Sequence, residues 1–73
     1  MSKEMEFFIL LLEQYAYSKG KGADEVLKQW ESLGISDLIF DMYERYHQEA
    51  IENAFTDIDQ LIINTQDKSG TTA

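Results

Sequence analysis

Apolar residues recur along this chain at helical spacing, and four glycines interrupt the pattern. Between Met5 and Ala16 the apolar positions follow steps of three and four residues, which is typical of an amphipathic helix. Ser2 is suited to cap this helix and Gly20 to end it, so we predict a helix over residues 3–18. Its buried stripe is expected to contain Met5, Phe8, Ile9, Leu12, Tyr15 and Ala16.

The next two glycines enclose a second helical segment. Gly22 precedes it and Gly34 follows it, which predicts a helix over residues 23–33. Trp30 is the largest side chain on its apolar face and is expected to lie in the core. Ile35 stands where the hydrophobic contact of a Schellman motif is usually found.

The remaining apolar positions form two stripes that are offset by about one residue at Tyr46 and His47. Ser36 is a suitable cap for the first of these segments. The offset favours a break near residues 47–50, with helices over residues 36–47 and 49–63. No glycine or proline enforces this break, so one continuous helix is the alternative.

These elements predict an all-α, compact three- or four-helix domain in residues 1–63. After Ile63 the chain has no large apolar side chain, so residues 64–73 are expected to form a flexible tail. The chain contains no cysteine and no apolar run near the roughly 20 residues that a membrane span needs. The N-terminus lacks a basic, apolar leader, so we expect a cytoplasmic protein.

The excess of acidic residues limits the kinds of partner that the protein can bind. Fourteen acidic and six basic residues give a net charge of −8, and Arg45 is the only basic residue in positions 35–63. Nucleic acids and anionic membranes bind through lysine and arginine, so we expect neither as a direct partner. A helix-turn-helix reader would present Asp37, Asp41 and Glu44 to phosphates, which excludes that interpretation. Two interpretations of the acidic charge remain, a basic protein partner or a contribution to solubility alone.

Few residues suggest catalysis. Glu44 and His47, the only histidine, have the Glu-x-x-His spacing that carboxylate-bridged metal sites use in pairs, but the motif occurs once. They are weak metal candidates, and we expect no catalytic residue, metal or cofactor. Asp57 and Asp59 lie about 200° apart on a helix, which favours a solvated face over a shared site. The Gly20–Gly22 segment is too short for a phosphate-binding loop and predicts a turn.

Several large side chains fall outside the predicted buried stripes. Uncovered apolar and aromatic side chains are enriched at interfaces. The candidate interface residues are Phe7, Leu10, Leu11, Tyr17 and Phe40. Because most of them lie on the first helix, we expect a homodimer formed through that helix.

The order and spacing of several segments resemble a known family. The segments are Glu6-Phe7-Phe8, Tyr15-Ala16, residues 23–27, residues 36–40, residues 43–47 and residues 57–59. Across residues 5–62 the chain resembles a small bacterial family of about this length, one of the domain-of-unknown-function families. The resemblance implies a helical domain without established activity. It also implies a gene neighbourhood that contains an ADP-ribosyltransferase-like protein, and hence a toxin–antitoxin or regulatory pairing.

Three functions follow as hypotheses. The first is a non-enzymatic, antitoxin-like interaction or regulatory module that presents an acidic surface to a basic partner. The second is a small metal- or ligand-binding enzyme that uses Glu44 and His47. The third is a regulator that associates with nucleic acid only through a basic partner.

Overall fold

The computed structural model describes the backbone of residues 2–71 and the side chains of residues 2–66. Its elements are α1 (Lys3–Ser18), α2 (Ala23–Leu33), α3 (Ser36–Phe40), α4 (Tyr43–Tyr46) and α5 (Asn53–Thr71). The described residues form no strand, so the predicted all-α fold is confirmed. Within the part of the chain described, no helix is long and apolar enough to span a membrane.

The first two helices begin and end where the caps predict. The Ser2 side chain accepts a hydrogen bond from the Met5 amide at 3.1 Å, and Gly20 follows α1 with a positive φ of 69°. Gly34 has a φ of 71° after α2, and the Ile35 amide donates to the Trp30 carbonyl at 3.0 Å. This is the hydrogen bond of a Schellman motif, and it buries Ile35 as predicted.

The predicted third helix is divided into the short helices α3 and α4 by a turn at Asp41 and Met42. Ile35 takes the cap position that we predicted for Ser36, which is instead the first residue of α3. The division lets Phe40 and Tyr43 pack on neighbouring residues of α1. The Phe40 ring lies 5.8 Å from the ring of Phe8, and the Tyr43 ring lies 5.7 Å from that of Phe7.

The predicted break after the third segment is present, because residues 47–52 form turns between α4 and α5. The last helix begins at Asn53 instead of residue 49 and continues to Thr71 instead of ending at residue 63. No proline or glycine interrupts residues 53–69, and Gln60 donates a hydrogen bond to Asn64 at 2.9 Å. The flexibility of residues 64–73 stays a prediction, and part of it falls outside the described residues.

The core is centred on Trp30, whose side chain is 0% exposed as predicted. Its ring lies 5.8 Å from that of Phe8 and 5.7 Å from that of Tyr15. The buried apolar residues come from every long helix, from α3 and from the residue that precedes α3: Leu11, Leu12, Tyr15, Ala16, Val26, Trp30, Ile35, Ile39, Ala54 and Ile58. One hydrophobic core therefore joins α1, α2, α3 and α5.

The buried face of α1 differs from the predicted stripe. Met5 and Ile9 are 39% and 37% exposed, whereas Leu11 is fully buried. Apolar residues occupy nearly the whole circumference of α1, so periodicity alone could not identify the inner face. Packing against the other helices selects the side that carries Leu11 and Tyr15.

Candidate functional site

The predicted metal candidates are exposed, with Glu44 in the first turn of α4 and His47 directly after the helix. His47 stacks on the Tyr43 ring, with ring centroids 4.5 Å apart, and its Nδ1 lies 2.7 Å from the Tyr43 carbonyl oxygen. This contact occupies Nδ1 as a donor and leaves Nε2 beside the Gln48 side-chain amide at 3.2 Å. Among the described residues, no three potential ligands are grouped closely enough to hold a metal ion.

The five predicted interface residues separate into three groups. Leu10 is 49% exposed and Tyr17 84% exposed, so both are accessible to a second molecule. Phe7 and Phe40 are partly buried against Tyr43 and Phe8. Leu11 is enclosed by the protein's own core, so its prediction as an interface residue is wrong.

Asp59 joins α5 to α1. Its Oδ1 accepts a hydrogen bond from the Tyr15 hydroxyl at 2.5 Å, and its Oδ2 lies 3.1 Å from Lys19 Nζ. Burial, followed by the hydrogen bond to Asp59, raises the pKa of Tyr15 well above its usual value. The hydroxyl therefore stays protonated and remains a donor to the carboxylate. Lys19 also lies over the Tyr15 ring, 5.2 Å from its centroid.

Asp57 makes the corresponding connection between α5 and α4. Its Oδ2 accepts a hydrogen bond from the Tyr46 hydroxyl and lies 3.5 Å from Arg45 Nη1. The hydrogen bond to Asp57 raises the pKa of Tyr46, and the nearby Arg45 opposes this effect. The prediction of a simply solvated face at Asp57 and Asp59 is therefore corrected. Both side chains are half-buried, and each bonds a tyrosine of a different helix.

Sequence reasoning placed these two aspartates on opposite sides of one helix but did not assign them partners. The separation of about 200° was itself the useful signal. A helix that packs between two others can direct one carboxylate to each neighbour. The tyrosines at positions 15 and 46 could not be identified as those neighbours, because they lie 44 and 11 residues away.

A surface groove lies between the α3–α4 segment and α5, on the Asp57 side of α5. Its volume is about 530 Å³. Leu38, Met42 and Leu61 supply its apolar surface. Leu38 is 54% exposed and so presents apolar surface to a ligand.

Charged and amide groups surround this apolar surface. Three carboxylates line the groove, from Asp41, Glu44 and Asp57, against the single guanidinium of Arg45. Gln60 and Asn64 add side-chain amides along α5. Sequence reasoning did not find the groove, because it is formed when the turn at Asp41 and Met42 directs α4 towards α5. We call this groove the acidic groove. Its lining residues are Leu38, Asp41, Met42, Glu44, Arg45, Asp57, Gln60, Leu61 and Asn64.

The chain matches a protein-family model over most of its length. Residues 6–65 match a family described as Protein of unknown function (DUF3791). The match includes nearly all of the residues over which the sequence resembles a domain-of-unknown-function family. No curated protein and no solved structure shows significant similarity to the chain.

Proposed function

Since the chain belongs to the family Protein of unknown function (DUF3791), whose description assigns no activity, we propose a function from the geometry. The protein is a non-enzymatic interaction module whose acidic groove binds a basic, amphipathic helical segment of a partner protein. The observation that carries this proposal is the combination of an apolar surface with three carboxylates and one guanidinium in one open groove.

The apolar surface of the groove has the composition of a helix-binding site. Grooves that bind amphipathic helices present apolar side chains to residues spaced three and four apart on the ligand. Leu38, Met42 and Leu61 come from two sides of the acidic groove, so a helix lying in it would contact both. Leu38 is 54% exposed, so covering the rest of its side chain would contribute about half of the roughly 1.5–3 kcal/mol that full burial of a leucine gives.

Charge favours a basic ligand. Positions 35–63 carry seven acidic residues and only Arg45 as a base, and this region supplies most of the groove. An acidic surface attracts basic segments over long range and repels phosphate-rich partners. This supports a protein partner without direct binding of nucleic acid or an anionic membrane.

Such a module would act by covering a functional basic surface of its partner. One such case is the antitoxin-like pairing that the family resemblance implies, in which the partner is the product of a neighbouring gene. The protein would act as a regulator if the partner needs the bound segment for its own activity. The same binding would also suit the third hypothesis, in which the partner itself contacts nucleic acid.

The test is a titration of the protein with a synthetic amphipathic peptide of about 15 residues that carries leucines on one face and basic residues on its flanks. We expect saturable binding that weakens with added salt. Leu38→Ser should weaken it at least about fivefold, whereas Leu10→Ser should not. Leu10 is the matched control because it is exposed to a similar extent but lies on α1. Equal binding by the two variants would place the peptide outside the groove.

The alternative function uses Glu44 and His47 as metal or ligand groups. Glu44 lines the acidic groove, whereas His47 lies beyond it, stacked on Tyr43. Titration with Fe(II), Mn(II) and Zn(II) addresses this alternative directly. A stoichiometric site tighter than about 10 µM that is lost in His47→Ala would favour the enzyme over the interaction module.

We also propose that the protein forms a homodimer through the outer face of α1. Leu10 and Tyr17 lie seven residues apart and therefore project from the same side of the helix. Both are exposed. Pairing α1 with a second copy would cover these side chains while leaving the acidic groove open.

A further inference from the structure

We infer that Asp57 is the position in the acidic groove that recognises an arginine of the bound segment, and that Arg45 occupies this position in the free protein. This inference rests on the proposed function, because it names the group that the partner must bring to the same groove. Binding would then be an exchange in which the partner's guanidinium replaces that of Arg45.

The hydrogen bonds of Asp57 leave room for such a ligand. Its Oδ2 accepts from the Tyr46 hydroxyl and faces Arg45, while Oδ1 receives no hydrogen bond from the described residues. The Tyr46 hydroxyl orients the carboxylate without contributing charge, since its raised pKa keeps it protonated. One oxygen of a half-buried carboxylate that lines the groove is therefore available to a ligand.

The contact between Arg45 and Asp57 is easily exchanged. A single Nη1–Oδ2 distance of 3.5 Å joins them, and the Arg45 side chain is 73% exposed. Exposed ion pairs of this kind contribute little to stability. The Lys19–Asp59 pair on the opposite side of α5 is shorter, at 3.1 Å, and its lysine is only 39% exposed. Of these two ion pairs, the weaker is thus the one inside the groove.

Arginine fits this position better than lysine. A guanidinium can donate two parallel hydrogen bonds to one carboxylate, whereas an ammonium acts as a point charge. The Tyr46 ring offers an adjacent aromatic face, since the Arg45 guanidinium carbon already lies 5.9 Å from its centroid. An arriving arginine would meet the same carboxylate and the same ring, now covered by the apolar side of the bound helix.

The first experiment compares two identical substitutions on α5. Asp57→Asn and Asp59→Asn each remove one negative charge and leave an oxygen that can accept from a tyrosine hydroxyl. Binding is followed by fluorescence anisotropy of the labelled amphipathic peptide, in an arginine version and a matched lysine version. We expect Asp57→Asn to weaken the arginine peptide at least about tenfold and Asp59→Asn to weaken it less than about twofold.

The second experiment removes the guanidinium of Arg45, which competes with the peptide's arginine for Asp57. Arg45→Gln should tighten binding of the arginine peptide by about threefold or more, because Arg45 then no longer competes for the Asp57 carboxylate. Lys19→Gln makes the same change of charge at the other ion pair and should have a smaller effect. Wild type should bind the arginine peptide more tightly than the lysine peptide, and Asp57→Asn should abolish that preference. Circular dichroism of every variant verifies that the fold is retained, and Glu44→Gln tests the groove if Asp57→Asn unfolds.

The outcomes separate the inference from the proposed function. Binding that Leu38→Ser weakens, but that Asp57→Asn and Asp59→Asn change equally, would overturn the arginine site and keep the groove as the binding surface. A peptide that binds neither wild type nor Arg45→Gln would overturn both. Loss of peptide binding when the protein self-associates would show that a second copy occupies the groove, and would also overturn the inference.

Discussion

The Tyr15 hydroxyl donates a hydrogen bond of 2.5 Å to Asp59 Oδ1, although the two residues lie 44 positions apart. The bond connects the first helix to the last across the edge of the core, where the Tyr15 ring packs on Trp30 and on Phe55. On the other side of α5, Tyr46 and Asp57 repeat the same chemistry. These two tyrosine–carboxylate hydrogen bonds thus fix the rotation of α5 about its own axis. The apolar core alone would define this rotation less strictly.

The Tyr15–Asp59 bond should contribute measurably to stability. Tyr15→Phe keeps the buried ring but removes the donor to a charged acceptor, so we expect a loss of about 1–3 kcal/mol in the free energy of unfolding. Urea unfolding followed by circular dichroism measures the change. Tyr17→Phe is the control, because the Tyr17 side chain is 84% exposed and should change the midpoint little. Equal midpoints for Tyr15→Phe and wild type would contradict a stabilising role for the bond.

Alkaline pH should weaken the same interaction. The folded pKa of Tyr15 is raised above the unfolded value of about 10, mainly by burial and then by the hydrogen bond to Asp59. The unfolded chain therefore loses this proton first, and stability falls as the pH rises above about 10. The difference in unfolding free energy between wild type and Tyr15→Phe should be constant below about pH 9 and shrink above about pH 10. A difference that grows at high pH would contradict the direction of the shift.

Local signals were sufficient for the first two helices. Ser2, Gly20 and Gly34 act within one turn of a helix end, so the bounds 3–18 and 23–33 could be read from neighbouring residues. The turn at Asp41 and Met42 had no such signal. It depends on the packing of Phe40 and Tyr43 against α1, which residue spacing does not reveal.

The candidate site was predicted only in its charge. The excess of acidic residues in positions 35–63 is visible in composition, and it correctly indicated where acidic groups gather. The acidic groove itself depends on the direction of α4 relative to α5, and the partners of Asp57 and Asp59 depend on tertiary packing. The sequence also revealed a surplus of apolar residues on α1, but it did not reveal which of them the other helices cover.

Trp30 should dominate the core energetics. Trp30→Ala removes a fully buried side chain that contacts the rings of Phe8 and Tyr15, at a cost of about 3–5 kcal/mol. Trp30→Phe keeps aromatic packing and loses no hydrogen bond to the described residues, since the indole Nε1 has no partner among them. We expect it to cost on the order of 1–2 kcal/mol. Thermal and urea unfolding should place Trp30→Phe between wild type and Trp30→Ala, and a Trp30→Phe protein no more stable than Trp30→Ala would contradict this order.

The neighbouring residues Leu10 and Leu11 provide a test of the proposed dimer. Leu11→Glu would place a carboxylate in the core, where an unpaired charge is costly, so we expect the fold to be lost. Leu10→Glu changes an exposed side chain and should alter monomer stability by only about 0.5 kcal/mol. Any effect of Leu10→Glu on assembly can therefore be assigned to the surface.

Light scattering at micromolar concentration should report a dimer for wild type that becomes more stable with salt, because screening reduces the repulsion between two chains of charge −8. Leu10→Glu should shift this equilibrium towards monomer by at least about tenfold. Leu38→Glu is the control, since Leu38 is similarly exposed but belongs to the acidic groove, and it should leave the dimer intact. If Leu38→Glu separates the subunits and Leu10→Glu does not, the dimer forms through the groove, and α1 remains open to solvent. A wild-type protein that stays monomeric at every salt concentration would reject self-association through either surface.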